Sequence, residues 1–229
     1  MKQKSQDWKT AFYRSVPVLC GYVFLGMAFG ILLQQAGFSP AWATFSSVFV
    51  FAGSLQFLLV GLLSSGASLV LVAGMSLLLN SRHIFYGLSF IEKFREFGKK
   101  WFYMVFSLTD ETYSVFCSLP EEERTPSIMS KIAFLDQCYW VTGSTIGAAA
   151  GAVLPVDATG IDFAMTALFV TIFLDQWQKL PTHLPALTGL VSAVLFLAVL
   201  GPDRFILPAL ALASAVLLLC RGQIERKWT

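Results

Sequence analysis

The sequence predicts an all-α polytopic membrane protein built from two inverted repeats, each of about three transmembrane helices plus a re-entrant or broken helical hairpin. Three observations lead there. The 229 residues are 56% apolar and 13% charged, with a mean hydropathy of +0.68, whereas soluble domains carry about 25% charge. From Ser15 to Ser81, 67 consecutive residues contain no Asp, Glu, Lys or Arg, and a spanning helix needs roughly 20. Short motifs in the first half recur at matching positions in the second. Disorder, a secreted disulfide scaffold and a nucleic-acid-binding domain are excluded together, and a net charge of +2 implies no acidic partner.

The apolar segments run about 16–36, 41–62, 66–80, 101–119, 132–154, 160–178, 184–200 and 205–220. Breakers separate them, among them Gly37 to Pro40, Ser64-Ser65-Gly66, Glu121 to Pro126 and Gly201-Pro202. The basic N-terminus ahead of Val16–Leu33 lacks a small-residue cleavage site, and its apolar run outlasts a signal peptide. It reads as a retained first helix. Cys20, Cys117, Cys138 and Cys220 have no C-x-x-C spacing and read as packing residues. Neither a metal site nor any other cofactor is expected.

Lys and Arg accumulate on the cytoplasmic side of membrane proteins. If all segments cross, ten basic residues fall inside and six outside. If the second and sixth segments re-enter instead, thirteen fall inside and three, Arg124, Lys131 and Arg204, outside. The sixth segment has only 12 uncharged residues between Asp162 and Asp175, too few for a lipid-facing span. The hairpin arrangement is therefore expected, with both termini cytoplasmic.

Gly26-x-x-x-Gly30 recurs as Gly147-x-x-x-Gly151, a spacing that lets helix backbones approach closely. Gln56-Phe57 lies 26 residues beyond Gly30, and Gln176-Trp177 lies 25 beyond Gly151. The chain thus divides into repeats of about 1–119 and 131–220 within a single membrane domain. Three crossings per half would invert the second relative to the first, the architecture of secondary transporters.

Polar groups at membrane depth are costly and mark functional candidates. Gly53 and Ser54 interrupt an apolar helix and free an N-terminus suited to a carboxylate, with Gln56 as a neutral partner; a packing kink is the plainer reading. Asn80 is a further polar candidate. Asp175, Gln176 and Trp177 are the second-half counterparts, suited to an ammonium group and an apolar wall. Asp110 and Glu111, in the middle of segment four, and Asp136 are candidates for proton or ion coupling. The alternative for the first two is a salt bridge to Arg82, which otherwise reads with His83 as a cytoplasmic anchor.

Pro17…Gly21…Gly26…Gly30, Phe51-Ala52-Gly53-Ser54-Leu55-Gln56-Phe57, Asn80-Ser81-Arg82-His83-x-x-Tyr86-Gly87 and Leu108-Thr109-Asp110-Glu111-Thr112 occur in that order. Together they resemble the AzlC/YgaZ family, the large subunit of bacterial branched-chain amino-acid exporters. The resemblance implies export of valine, leucine, isoleucine and methionine, and a small membrane partner of AzlD/YgaH type. No G-x-x-x-x-G-K-[ST] pattern is present, so ion or proton coupling is expected to supply the energy. The alternative is a passive channel or an uptake permease for another small solute. The other rivals are an intramembrane enzyme using His83 with Asp110 or Glu111, which lacks a Ser/Cys nucleophile motif or His-x-x-x-His metal spacing, and a scaffold whose polar residues only glue helices.

Overall fold

The computed structural model describes residues 2–154, positions 163, 166, 167, 170, 173, 174, 177 and 178, and residues 182–201 and 205–220. The chain divides into two compact units, Met1–Ala164 and Met165–Thr229. Among the described residues there is no strand. The first unit contains α1 (Lys2–Gln35), α2 (Pro40–Phe49), α3 (Gly53–Ser64), α4 (Leu69–Asn80), α5 (Arg82–Arg95), α6 (Trp101–Phe106), α7 (Asp110–Ser118) and α8 (Pro126–Val153). The second contains α9 (Leu184–Leu200) and α10 (Ile206–Leu219), which pack on each other across a turn at Gly201, φ 74°.

The long helices α1 and α8 form the axis of the first unit. At 1.5 Å per residue, their 34 and 28 residues reach roughly 51 and 42 Å. α8 starts where Thr125 accepts the Ile128 N–H and Pro126 occupies the first turn. Contacts between the two advance together. Lys131 Nζ lies 3.1 Å from Asp7 Oδ2, Ser15 Oγ lies 3.1 Å from the Tyr139 hydroxyl, Gly26 abuts Gly143 and Ser144, Gly30 abuts Gly147 and Ala148, and Gly151 abuts Ile31 and Gln34. The helices are therefore parallel. A Cβ on Gly26 would stand 3.0 Å from the Ser144 nitrogen, one on Gly30 2.5 Å from the Ala148 nitrogen, and one on Gly147 inside the Met27 backbone. Hydrogen alone fits at this seam, which admits backbone-to-backbone packing.

Two helical hairpins enter between these helices from opposite ends. α2 descends against α8, with Thr44 Oγ1 2.8 Å from Thr145 Oγ1 and Gln137 Nε2 donating to the Val48 carbonyl at 3.0 Å. The chain turns over 50–52, where Phe51 takes φ 41°. α3 then returns alongside α1: Phe51 meets Tyr22, and Phe57 meets Phe29 with ring centroids 5.9 Å apart. α6 and α7 form the second hairpin, with its tip at 107–109. α7 runs back beside α5, since Asp110 pairs with Arg82, Tyr113 stacks on Tyr86, and Phe116 meets Phe90 and Phe94. The tips meet where Phe51 and Phe106 lie 6.2 Å apart. α4 and α5 connect the two ends as one broken passage bent by 54°.

Among the described residues, by length and composition, Ser5–Gln35 alone suffices to cross a membrane, and Leu69–Ile84 with Tyr86–Arg95 suffices as a bent pair. α8 is polar enough to need burial, and Lys131, Asp136, Ser144 and the glycines of the seam lie inside. Large apolar side chains instead face outward: Phe24, Trp42, Phe45, Phe49, Leu77 and Ile146 are all exposed. Polar groups held inside an apolar surface are the arrangement that lipid selects.

The structure departs from the expected topology at four points. Segment four is a hairpin rather than a crossing, because Thr109 caps α7 and ends the run that began at Trp101. The helical passage of segment three continues to Arg95, so Arg82 sits at its bend rather than beyond its end. α8 begins at the same end as α1, placing Arg124 and Lys131 beside the N-terminal residues Arg14 and Asp7 rather than opposite them. The first helices of the two halves consequently run parallel, not inverted. Cys20 and Cys117 are exposed on the apolar surface rather than packed inside.

Because the seam leaves no room for a methyl group, Gly30→Ala or Gly147→Ala should cost roughly 1–3 kcal/mol and lower the thermal unfolding midpoint in detergent. Gly21 meets nothing within 4 Å of a built Cβ, so Gly21→Ala, which also gains helix propensity, should not lower that midpoint.

Candidate functional site

The hairpin tips carry the polar residues, and the seam fixes what they meet. At the first tip, Gly53 lies against the Trp140 ring, where a Cβ would stand 3.0 Å from the ring edge. Trp140 Nε1 donates to Gln56 Oε1 at 2.9 Å, and Gln56 Nε2 donates to Ser46 and Ser47 at 3.2 and 3.3 Å. Gln56 is 1% exposed, so its amide ties α3 to α2 and α8. The first helical bond of α3 runs from the Gln56 N–H to the Ala52 carbonyl. The N–H groups of Gly53, Ser54 and Leu55 precede it, and Ala52 brings no side-chain cap. This half-helix thus presents a bare positive end.

Arg82 closes the gap between the tips. Its Nη2 donates to Ser54 Oγ at 2.8 Å and meets Asp110 Oδ2 at 2.8 Å, while the Tyr86 hydroxyl donates to Asp110 Oδ1 at 2.6 Å. Asp110 and Glu111 occupy the first turn of α7, where negative charge complements the helix dipole. Two buried polar atoms here lack partners, Arg82 Nε and Asn80 Oδ1. One offers an N–H for a carboxylate and the other accepts from an ammonium group.

The second tip carries a chain of oxygens. Glu111 Oε2 lies 2.7 Å from the Tyr22 hydroxyl, which lies 2.6 Å from Thr109 Oγ1. Thr109 Oγ1 lies 3.1 Å from Thr112 Oγ1, which lies 2.9 Å from Asp136 Oδ2. Asp136 is 0% exposed, and its Oδ1 has no partner. Glu111 and Tyr22 line a cavity of about 270 Å³ with Pro17, Val18, Gly21, Leu25, Ser114 and Val115.

The structure therefore gathers Gly53, Ser54, Gln56, Asn80, Asp110, Glu111 and Asp136 around the two tips. Gly26, Gly30, Gly147 and Gly151 line the seam behind them. In the second unit Trp177 stacks on His183 at 4.0 Å and lies 5.8 Å from Phe173, while Asp175 and Gln176 lie outside the described residues. Arg82, Tyr22, Tyr86 and Trp140 belong to the site but were not singled out for it from sequence. A Thr followed by two acids is a helix-start signature, and it would have located the second tip.

The model of the AzlC protein family matches residues 17–154, the span that contains the seam and both tips. The chain belongs to the AzlC family. It is 36% identical to the branched-chain amino acid transport protein AzlC of Bacillus subtilis (strain 168), over 99% of this chain and 91% of that protein. It is 30% identical to the inner membrane protein YgaZ of Escherichia coli (strain K12), over 93% and 89% of the two chains. A membrane protein of Helicobacter pylori is 37% identical, over 98% of this AzlC-family chain and the whole of its own. No solved structure matches.

Within this AzlC-family site, removing either Arg82 or Asp110 leaves the other partly buried and unpaired. In a cycle of Arg82→Ala, Asp110→Ala and the double variant, stability should show a favourable coupling of about 0.5–3 kcal/mol. Strictly additive losses would mean that the pair does not hold the tips together.

Proposed function

We propose that this chain is the permease subunit that exports branched-chain or other hydrophobic amino acids across the bacterial inner membrane, coupled to protons or another ion. The observation that carries this reading is the 36% identity, over 99% of the chain, to a protein named for branched-chain amino acid transport. The geometry supports it. A zwitterion with an apolar side chain needs an anion site, a cation site and an apolar wall. The bare start of α3 with Arg82 Nε supplies the first, and Asn80 Oδ1 contributes to the second. Trp140 and Phe51 supply the wall beside Gly53, Ser54 and Gln56. Asp175, Gln176 and Trp177 are our further candidates for the ammonium end. Asp110, Glu111 and Asp136 are our coupling candidates.

We place the end where α1 begins in the cytoplasm. Lys9, Arg14, Lys93, Arg95, Lys99, Lys100, Arg124 and Lys131 all belong to that end of the first unit, and Arg82 at the bend is the exception between Lys9 and Lys131. Arg221, Arg226 and Lys227 put the C-terminus on the same side by the same bias. A small membrane partner of AzlD/YgaH type completes the exporter in this reading.

Efflux of preloaded radiolabelled valine, from cells lacking their own exporters, tests the proposal. Expression of this chain with its small neighbour should accelerate efflux several-fold, neither chain alone should do so, and an imposed pH gradient should change the rate. Verified insertion of both chains without valine efflux would overturn branched-chain specificity. Efflux indifferent to every imposed ion gradient would favour a passive pore.

A further inference from the structure

Between Glu111 and Asp136 the oxygens of Tyr22, Thr109 and Thr112 form four successive contacts, of 2.7, 2.6, 3.1 and 2.9 Å. Every contact in such a chain requires one hydrogen. The three hydroxyls supply three, because each carries a single O–H. If Tyr22 donates to Glu111 and Thr112 donates to Asp136, then Thr109 can serve only one of the two contacts it makes. The fourth hydrogen has two possible sources, the carboxyl groups at the ends. With it in place all four bonds point one way, from Glu111 to Asp136 or the reverse.

Charge leads independently to the same result. The cations of this unit that reach acids are engaged elsewhere: Arg14 with Glu123, Arg82 with Asp110, Lys93 with Glu96, Arg124 with Glu121, and Lys131 with Asp7. No Lys or Arg among the described residues forms an ion pair with Glu111 or Asp136. Two anions at the ends of one four-contact chain in a low-dielectric interior repel each other and lack a compensating charge. Asp136 Oδ1 is buried without any partner, a costly position for an anionic oxygen. The other ionisable groups that face the pair are Asp110 and Arg82 beside Glu111, and Tyr103 and Tyr139 beside Asp136; none of these supplies an unengaged cation.

We propose that Glu111 and Asp136 hold one proton in common and exchange it through Tyr22, Thr109 and Thr112. In one transfer Glu111 gives its proton to the Tyr22 oxygen, Tyr22 gives its own to Thr109, Thr109 to Thr112, and Thr112 to Asp136. Each of the three hydroxyl oxygens breaks one O–H bond and forms another, while Glu111 loses its O–H bond and Asp136 gains one, so one proton moves from Glu111 to Asp136 with no change in oxidation state. The ends differ in access. Glu111 lines the cavity that runs between α1 and α7 towards Pro17 and Val115, whereas Asp136 is sealed inside. The relay thus links an open compartment to a closed carboxyl. Asp110, ion-paired with Arg82, lies outside this chain of oxygens.

Infrared absorption of the purified chain in lipid vesicles at neutral pH reads this proton without any transport assay, so its outcome is separable from that of the export proposal. The wild-type protein should show a protonated-carboxyl C=O stretch equivalent to one group and shifted in D₂O. Glu111→Gln and Asp136→Asn should each abolish it, because an amide N–H supplies the fourth hydrogen and leaves the opposite carboxyl ionised. Thr112→Ser, which keeps the hydroxyl, should retain the band. Loss in only one of the two amide variants would assign the proton to that residue alone and overturn the sharing. Persistence in both, or absence of the band from the wild type, would also overturn it. The wild-type spectrum decides the last case by itself, even if a variant fails to fold.

Discussion

The close parallel crossing of α1 and α8 is the constraint on which the rest of the first unit depends. Gly26, Gly30, Gly143 and Gly147 remove the side chains that would otherwise hold the two backbones apart. Tyr22 and Trp140 consequently come within 5.3 Å, centroid to centroid, and the tips bond to these two helices through Gln56 with Trp140, Thr109 and Glu111 with Tyr22, and Thr112 with Asp136. Ion pairs fix the register at one end, through Asp7 with Lys131 and Arg14 with Glu123. Such pairs contribute little as charges on a wet surface. The side chains of Asp7 and Lys131 are only 10% exposed, and a partner there offsets a substantial desolvation cost.

Opposed hairpins resolve a backbone problem that lipid imposes. A broken helix exposes N–H and C=O groups that hydrocarbon cannot satisfy, so the break must be buried or line a polar cavity. Here the two breaks face each other and share solutions. Thr109 caps α7, Gln137 donates to the Val48 carbonyl at the end of α2, and Gln56 bridges α2 and α3. What these contacts leave unused is the start of α3, Arg82 Nε and Asn80 Oδ1. In our proposal those groups meet the substrate, and the oxygen chain behind them carries the proton.

The glycine pairs, the break at Gly53–Ser54 and the membrane class were legible from local sequence, because each depends on side-chain size or on an uninterrupted apolar run. The break before Asp110 was not. Its flanks, Trp101 to Leu108 and Thr112 to Leu119, read as one apolar helix once the acids are treated as interruptions rather than as a helix start. Orientation failed for a different reason. Lys131 looked like a basic residue outside, and only its long-range partner Asp7 shows that α8 starts beside the N-terminus. The same distance in sequence hid Tyr22 and Trp140, ordinary aromatic residues until α7 and α3 supply their polar partners. Arg82 was read as an anchor, because an arginine at the end of an apolar run usually is one, with a salt bridge to Asp110 or Glu111 as the alternative; the pair with Asp110 is what the structure shows, and the continuation of that run as α5 makes it central.

The parallel course of α1 and α8 is tested most directly by thiol cross-linking in native membranes. Cys20, Cys117, Cys138 and Cys220 would first be replaced by serine. Ser127 Oγ donates to Asp7 Oδ2 at 2.5 Å, so Asp7→Cys and Ser127→Cys in one chain should be joined efficiently by a short bifunctional thiol reagent. Asp7→Cys paired with Val153→Cys, at the far end of α8, should not. The reverse pattern would show antiparallel helices and contradict the arrangement on which the hairpins, the site and the relay all rest.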